Sequence, residues 1–128
     1  MPEIRSFRDL IAWQKAMDLC QRVYDVSRRF PPDERYGLTA QTRRAAVSVP
    51  SNIAEGYGRH RTHDYLRFLN VALGSLCELE TQLLLAVRLE FTGRDDIGGC
   101  MELLREVDRV LSALIRAVRD SALREGAA

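Results

Sequence analysis

Apolar residues along the chain recur at alternating spacings of three and four in four separate stretches, the mark of one buried face on an α-helix. From Ser6, the segment SFRDLIAWQKAMDLCQRVYDVSRRF opens on a capping pair, Ser6 with Asp9 three residues on, and then sets Leu10, Trp13, Met17, Cys20 and Tyr24 on one face. A first helix over about 8–29 is predicted. Phe30-Pro31-Pro32-Asp33 stops it, because proline lacks the amide hydrogen and pushes the residue before it out of the helical region. A second helix over 38–57 carries Leu38, Ala45, Val49 and Ile53 on its inner face, with Pro50 inside it. Pro50 removes the donor to the Ala46 carbonyl, so a kink is expected there, with Ser48, Ser51 or water serving the freed oxygen. Gly56-Tyr57-Gly58 reads as the C-cap. Tyr65, Leu69, Ala72, Leu76, Leu79, Leu83 and Ala86 repeat at 4, 3, 4, 3, 4, 3 and predict a third helix over 63–91. After Gly93-Arg94-Asp95-Asp96, expected as a turn and N-cap, a fourth helix over 97–124 repeats the seam through Ile97, Cys100, Leu104, Val107, Leu111, Leu114 and Val118. Gly98 and Gly99 weaken its first turn. No strand-like alternation competes, and four helices joined by short turns predict an all-α, antiparallel up-down-up-down bundle.

The third helix has more apolar residues than one core absorbs. Leu66, Leu73, Cys77 and Leu84 form a second stripe beside the first, and Val71, Leu85 and Leu89 lie almost opposite the seam. A helix apolar around that much of its circumference predicts a homo-oligomer that buries the outer stripe.

Composition places these helices in a soluble globular protein. The 128 residues make one domain, with 46% hydrophobic and 29% charged side chains. Nineteen basic against eighteen acidic groups leave a net charge of +1, which excludes an indiscriminate polyanion binder. The balance hides an asymmetry: residues 35–67 carry six basic and two acidic groups, residues 68–128 seven and ten. The basic stretch makes Arg35, Arg43, Arg59, Arg61 and Arg67 the candidate nucleic-acid contacts, forming a band if all five face outward. Eighteen of the nineteen basic residues are arginine, Lys15 being the exception. The longest uninterrupted apolar run, Leu83 to Val87, is far short of the roughly 20 residues of a membrane span, and MPEIRSF has no signal core, so a cytoplasmic protein away from the membrane is expected. Cys20, Cys77 and Cys100 show no CxxC spacing and read as small buried hydrophobes.

Little in the chain suggests chemistry. Glu80 projects into the apolar arc of the third helix, where a carboxylate needs a cation, and Arg43 or Arg44 on the second helix is its expected partner. Arg44, Asn52, Glu55 and Glu80 are therefore read as a polar network that fixes helix register or a subunit seam, the alternative being a small-ligand or enzyme pocket. His60 and His63 are the only histidines and no Glu-x-x-His pair exists, so no metal is expected. No glycine-flanked serine elbow or Cys–His pair suggests a nucleophile. Gly56-Tyr57-Gly58-Arg59 is a phosphate-loop fragment without the following Lys-Ser/Thr. No catalytic residue and no cofactor are assigned.

LTAQTRRAAVSVPSNIAEGYGR over 38–59, Tyr65-Leu66-Arg67-Phe68-Leu69, and ALGSLCELETQL over 72–83 resemble the four-helix-bundle proteins of the 23S rRNA-intervening sequence family. Phe7, Leu10, Trp13 to Ala16 and Phe30-Pro31 match its opening pattern, so the likeness runs over about residues 7–92, and the last helix matches in character. The family is similar in fold to the accessory variability determinant of diversity-generating retroelements, a homopentameric bundle forming a tapered barrel that binds nucleic acid and a reverse transcriptase. The resemblance thus implies a pentamer, a non-catalytic role, and RNA, DNA or a reverse-transcriptase-like protein as partner. That retroelement protein is markedly basic and this chain is not, so a polyanion contact here must be local. A protein–protein adaptor without nucleic acid is the alternative expectation.

Overall fold

The computed structural model describes residues 3–127, with side chains described through Arg124. Four helices account for most of them: α1 (Ile11–Ser27), α2 (Leu38–Tyr57), α3 (Thr62–Arg88) and α4 (Gly98–Ala127). Single 3-10 turns lie at Phe7–Asp9 and Pro32–Glu34, and no strand occurs among the described residues. Each helix packs on its neighbours in the chain and α4 packs back on α1. The four close a ring with α1 and α3 at opposite corners.

The helix boundaries follow from local chemistry. The Ser6 hydroxyl accepts from the Arg8 amide at 3.1 Å, and the Asp9 carboxylate accepts from the amides of Ser6 and Arg5 at 3.1 and 2.8 Å. This is the expected cap, but it belongs to the separate 3-10 turn. Leu10 is extended (φ −73°, ψ 125°), so α1 starts at Ile11 instead of residue 8 and ends at Ser27 instead of 29. The Gln14 side chain donates to the Arg8 carbonyl at 2.8 Å and Phe7 meets Trp13 edge-on, ring centroids 5.3 Å apart, which pins the turn to α1. Helix α2 spans the expected residues and runs unbroken through Pro50. The Ser48 hydroxyl is bonded to Ser75 rather than to the freed Ala46 carbonyl. α3 stops at Arg88, three residues early, because Glu90 takes a left-handed conformation (φ 63°) and the amides of Glu90 and Phe91 turn back to the carbonyls of Val87 and Ala86. Asp96 does not cap the last helix as expected. Its carboxylate instead accepts from the Gly93 amide and the Arg29 guanidinium, and α4 begins at Gly98.

The core is built from Leu19, Val23, Val49, Ile53, Leu69, Leu76, Leu79, Leu83, Val107 and Leu111, all essentially sealed from solvent. Burial of each such side chain stabilises the fold by about 1.5–3 kcal/mol. The seams of α2 and α3 are the expected ones, with Tyr65 at the margin only half buried. On α1 the core face is Ala12, Ala16, Leu19 and Val23; Trp13, Cys20 and Tyr24 are only half buried and Met17 is exposed. On α4, Ile115 takes the buried position expected for Leu114. A straight helix drifts about 20° per heptad, which moves the seam by one residue toward its end. A smaller cluster of Phe30, Leu38 and Ala86, with Val26 and Phe91 against it, closes the end of the bundle where α1 passes to α2.

Although α3 is long and apolar enough to cross a membrane, Leu69, Leu76, Leu79 and Leu83 are the bundle core, which accounts for much of its apolarity. Its outer side is another matter: Val71, Cys77, Leu84, Leu85 and Leu89 are exposed, and Leu66 and Leu73 partly so. Cys77 thus departs from the buried-cysteine expectation, Cys20 is half buried, and only Cys100 is enclosed.

Candidate functional site

The polar side of α2 holds three of the four expected network members, and no two of them share a partner. The Asn52 amide donates to the Ser48 carbonyl and hydroxyl at 2.8 and 2.9 Å, and Ser48 meets Ser75 of α3 at 2.7 Å. Glu55 pairs with Arg59 one turn on, at 3.1 Å. Arg44 is exposed, and Glu80, partly buried on α3, has no cation within 4.0 Å among the described residues. The four therefore do not assemble within one chain. The reason is geometric: Ser48 and Asn52 stand on the side of α2 that meets α3, whereas Glu80 lies on the opposite flank of α3 from Ser75, about 140° away around the helix.

The five candidate arginines divide three ways. Arg43 turns inward: its Nε donates to the Ser27 hydroxyl at 2.8 Å, and its guanidinium lies 4.6 Å from the Tyr24 ring centroid. Arg35 stands before α2, exposed and stacked on Tyr36, roughly 30 Å of helix away from Arg59. Arg59, Arg61 and Arg67 gather at the turn from α2 to α3. A continuous band of five is thereby corrected to one cluster of three.

That cluster contains a feature the spacing of apolar positions does not reveal. The Phe68 ring carries Arg59 at 4.6 Å and Arg67 at 4.9 Å from its centroid, two cation–π contacts on one phenyl group. At partly exposed positions each is worth about 0.5–1 kcal/mol. Phe68 is held there by Gly56, where a Cβ would lie 2.8 Å from the Phe68 Cβ and 3.0 Å from Tyr65 Cδ1. Gly58 sits at the C-cap in an ordinary right-handed conformation, so close packing explains Gly56 better than capping does. The sequence signal that could have found the stack is an aromatic residue one turn into α3, facing the glycine-rich end of α2. Guanidinium planes beside an aromatic ring, with Arg61, His60 and His63 exposed around them, present planar donors suited to phosphates and base faces.

Nothing comparable suggests catalysis. Burial pushes the Cys20 and Cys100 thiols up, away from the reactive thiolate. The Tyr65 phenol is pushed up to about 12 by burial, with the nearby Tyr57 adding to it, and its hydroxyl is buried without a hydrogen-bond partner among the described residues. Among the described residues no three His, Cys, Asp or Glu side chains converge as a metal set. The open groove over α2, about 600 Å³, is lined by Tyr24, Val47, Ser51 and Asn52 and by the edges of Arg43 and Arg44.

Comparison with known proteins agrees with this architecture. A crystal structure of a protein of unknown function from the S23 ribosomal protein family of Bacteroides thetaiotaomicron superposes with a TM-score of 0.75 at 22% identity, covering 82% of this chain and 98% of that one. No curated protein matches the chain. The family model described as 23S rRNA-intervening sequence protein matches residues 8–113, most of the chain, from the first turn to about the middle of α4. On that match, the chain belongs to the 23S rRNA-intervening sequence protein family.

Proposed function

We propose that the protein is a non-catalytic homo-oligomeric scaffold that holds RNA, single-stranded DNA or a ribonucleoprotein through Arg59, Arg61 and Arg67. The observation that carries this reading is the Arg59–Phe68–Arg67 stack at an exposed turn, within the most basic stretch of an otherwise neutral chain. The family description, which names 23S rRNA, is consistent with it. The helices are taken as an antiparallel up-down-up-down bundle: Lys15 pairs with Glu106 and Arg29 with Asp96, so numbers rise along α1 as they fall along α4. The exposed outer side of α3 supports an oligomer, and the family resemblance supports a pentamer.

Salt dependence tests the reading. Three phosphate contacts per copy on a single strand give a slope of about −2 in log affinity against log salt, or about a twentyfold loss between 50 and 200 mM. Arg61→Ala and Arg67→Ala should each reduce that slope. Absence of any retention of rRNA or single-stranded DNA at 50 mM salt would overturn it. A second reading, a protein–protein adaptor, draws on the acidic groove between α1 and α4 lined by Asp18, Asp25, Glu102 and Glu106. Partners that survive nuclease treatment in a pull-down would favour it.

A further inference from the structure

Among the apolar side chains that the bundle leaves uncovered, two stripes lie on opposite faces. On the α1–α2 face, Trp13, Met17 and Tyr24 form a stripe spaced four and seven apart, continued by Val47 of α2, with Met17 and Val47 exposed. On the α3–α4 face, Leu73, Cys77 and Leu84 form another, spaced four and seven, with Cys77 and Leu84 exposed. Because the four helices close a ring in chain order, these faces look away from each other. A two-fold dimer needs one self-complementary patch; two different patches on opposite sides suit a head-to-tail contact that closes into a ring.

Charge points the same way. Among the described residues, Glu80 lies beside the α3–α4 stripe, partly buried and without a cation in its own chain, and Arg44 is exposed and without an anion in its own. Each is the counter-ion the other lacks, and a carboxylate among leucines gains most from one. Their levels along the bundle also agree. Ser48 bonds Ser75, Gly56 abuts Phe68 and Leu38 clusters with Ala86, so each step up α2 is a step down α3, and Arg44 shares a level with Glu80. A ring whose axis runs along the helices brings equal levels of neighbouring copies together.

From this we infer that the α1–α2 face of one copy docks on the α3–α4 face of the next, with Arg44 of one copy paired to Glu80 of its neighbour. The inference rests on the homo-oligomer reading above and adds which surfaces meet. It also explains why two residues whose types and level fit each other are unpaired in the single chain.

Charge reversal and cross-linking test it. By light scattering, Arg44→Glu and Glu80→Arg should each drop the particle to the mass of one chain, and the double variant should restore the wild-type mass, an outcome that no misfolded protein gives. In the wild type, a short bis-maleimide should join Cys20 of one copy to Cys77 of another and yield a ladder beyond the dimer, which Cys20→Ser and Cys77→Ser each abolish. An oligomer whose mass ignores both reversals, or whose cross-links join only Cys77 to Cys77 and stop at the dimer, overturns the docking alone. A wild type with the mass of one chain overturns the oligomer reading and the docking together.

Discussion

Between α2 and α3 the contact is made by short groups. Gly56 lets the helix backbones approach until a Cβ would touch Phe68 Cβ at 2.8 Å and the Tyr65 carbonyl at 3.3 Å, and Ser48 and Ser75 meet at 2.7 Å. Between α1 and α4 it is made by long ones. Lys15 reaches Glu106 at 2.9 Å, Arg29 reaches Asp96 at 3.0 Å, and the Arg22 guanidinium lies over Gly99. Groups fixed to the backbone cannot yield, whereas the ends of long side chains swing aside with little loss. The first seam therefore sets the register of the bundle and holds the Arg59–Phe68–Arg67 stack in place; the second closes the ring and tolerates change.

Gly56→Ala breaks this contrast most directly. An added methyl improves helix propensity by about 1 kcal/mol but must displace Phe68 Cβ, and overpacking of that kind costs about 1–3 kcal/mol. The expected sum is a net loss of about 1 kcal/mol in urea unfolding, together with weaker nucleic-acid retention, because Phe68 moves. Full stability would show that the close approach is not a constraint. Tyr65→Phe comes next and acts in the opposite direction. It removes a buried hydroxyl with no partner among the described residues, so stability should rise, by somewhat less than 1 kcal/mol. A loss of stability would reveal a partner for that hydroxyl. Gly99→Ala is smaller still. Its Cβ would sit 2.5 Å from Arg22 Nη1, nominally a worse clash than at Gly56, yet the neighbour is the tip of a flexible chain, so a gain of a few tenths of a kcal/mol is expected. Destabilisation equal to that of Gly56→Ala would erase the distinction between the seams.

The same contrast governs how far the amino-acid pattern discloses the fold. The α2 boundaries are legible because Pro31-Pro32 before it and Gly56-Tyr57-Gly58 at its end punctuate the chain, and the α3 seam because its repeat of 4 and 3 runs unbroken from Tyr65 to Ala86. On α1, Ala12, Ala16, Leu19 and Val23 share the spacing of 4, 3, 4 with Trp13, Met17, Cys20 and Tyr24, one residue displaced. Periodicity cannot choose between two such seams, and size favours the wrong one: the larger residues look like core, whereas two alanines let α1 approach its neighbours. The candidate site is half legible. Arg59, Arg61 and Arg67 can be named from the charge run, but the inward turn of Arg43 depends on Ser27 and Tyr24, which belong to another helix, and nothing in the spacing joins Phe68 to Arg59. The outer stripe of α3 is legible because its apolar surplus is a property of one helix alone.

The smallest effect separates the seams by pH. The Lys15 ammonium donates to Glu106, and that bond, reinforced by the lysine charge, holds the Glu106 carboxyl below its usual value. The folded chain thus binds this proton more weakly than the unfolded chain does. Stability from the pair is present above the unfolded carboxylate value, about 4.3, and is lost as pH falls through it toward the folded one. Lys15→Met keeps the aliphatic stem and removes the charge. It should lower the melting temperature slightly at pH 7, and the gap from wild type should narrow as pH falls below the unfolded carboxylate value and in 1 M salt. The deficit of Gly56→Ala, being steric, should persist under both conditions. A Lys15→Met variant as stable as wild type at pH 7 would mean that the methylenes of Lys15, which methionine largely keeps, do the work and the charge contributes nothing, and the α1–α4 seam would then be held by packing, as the α2–α3 seam is.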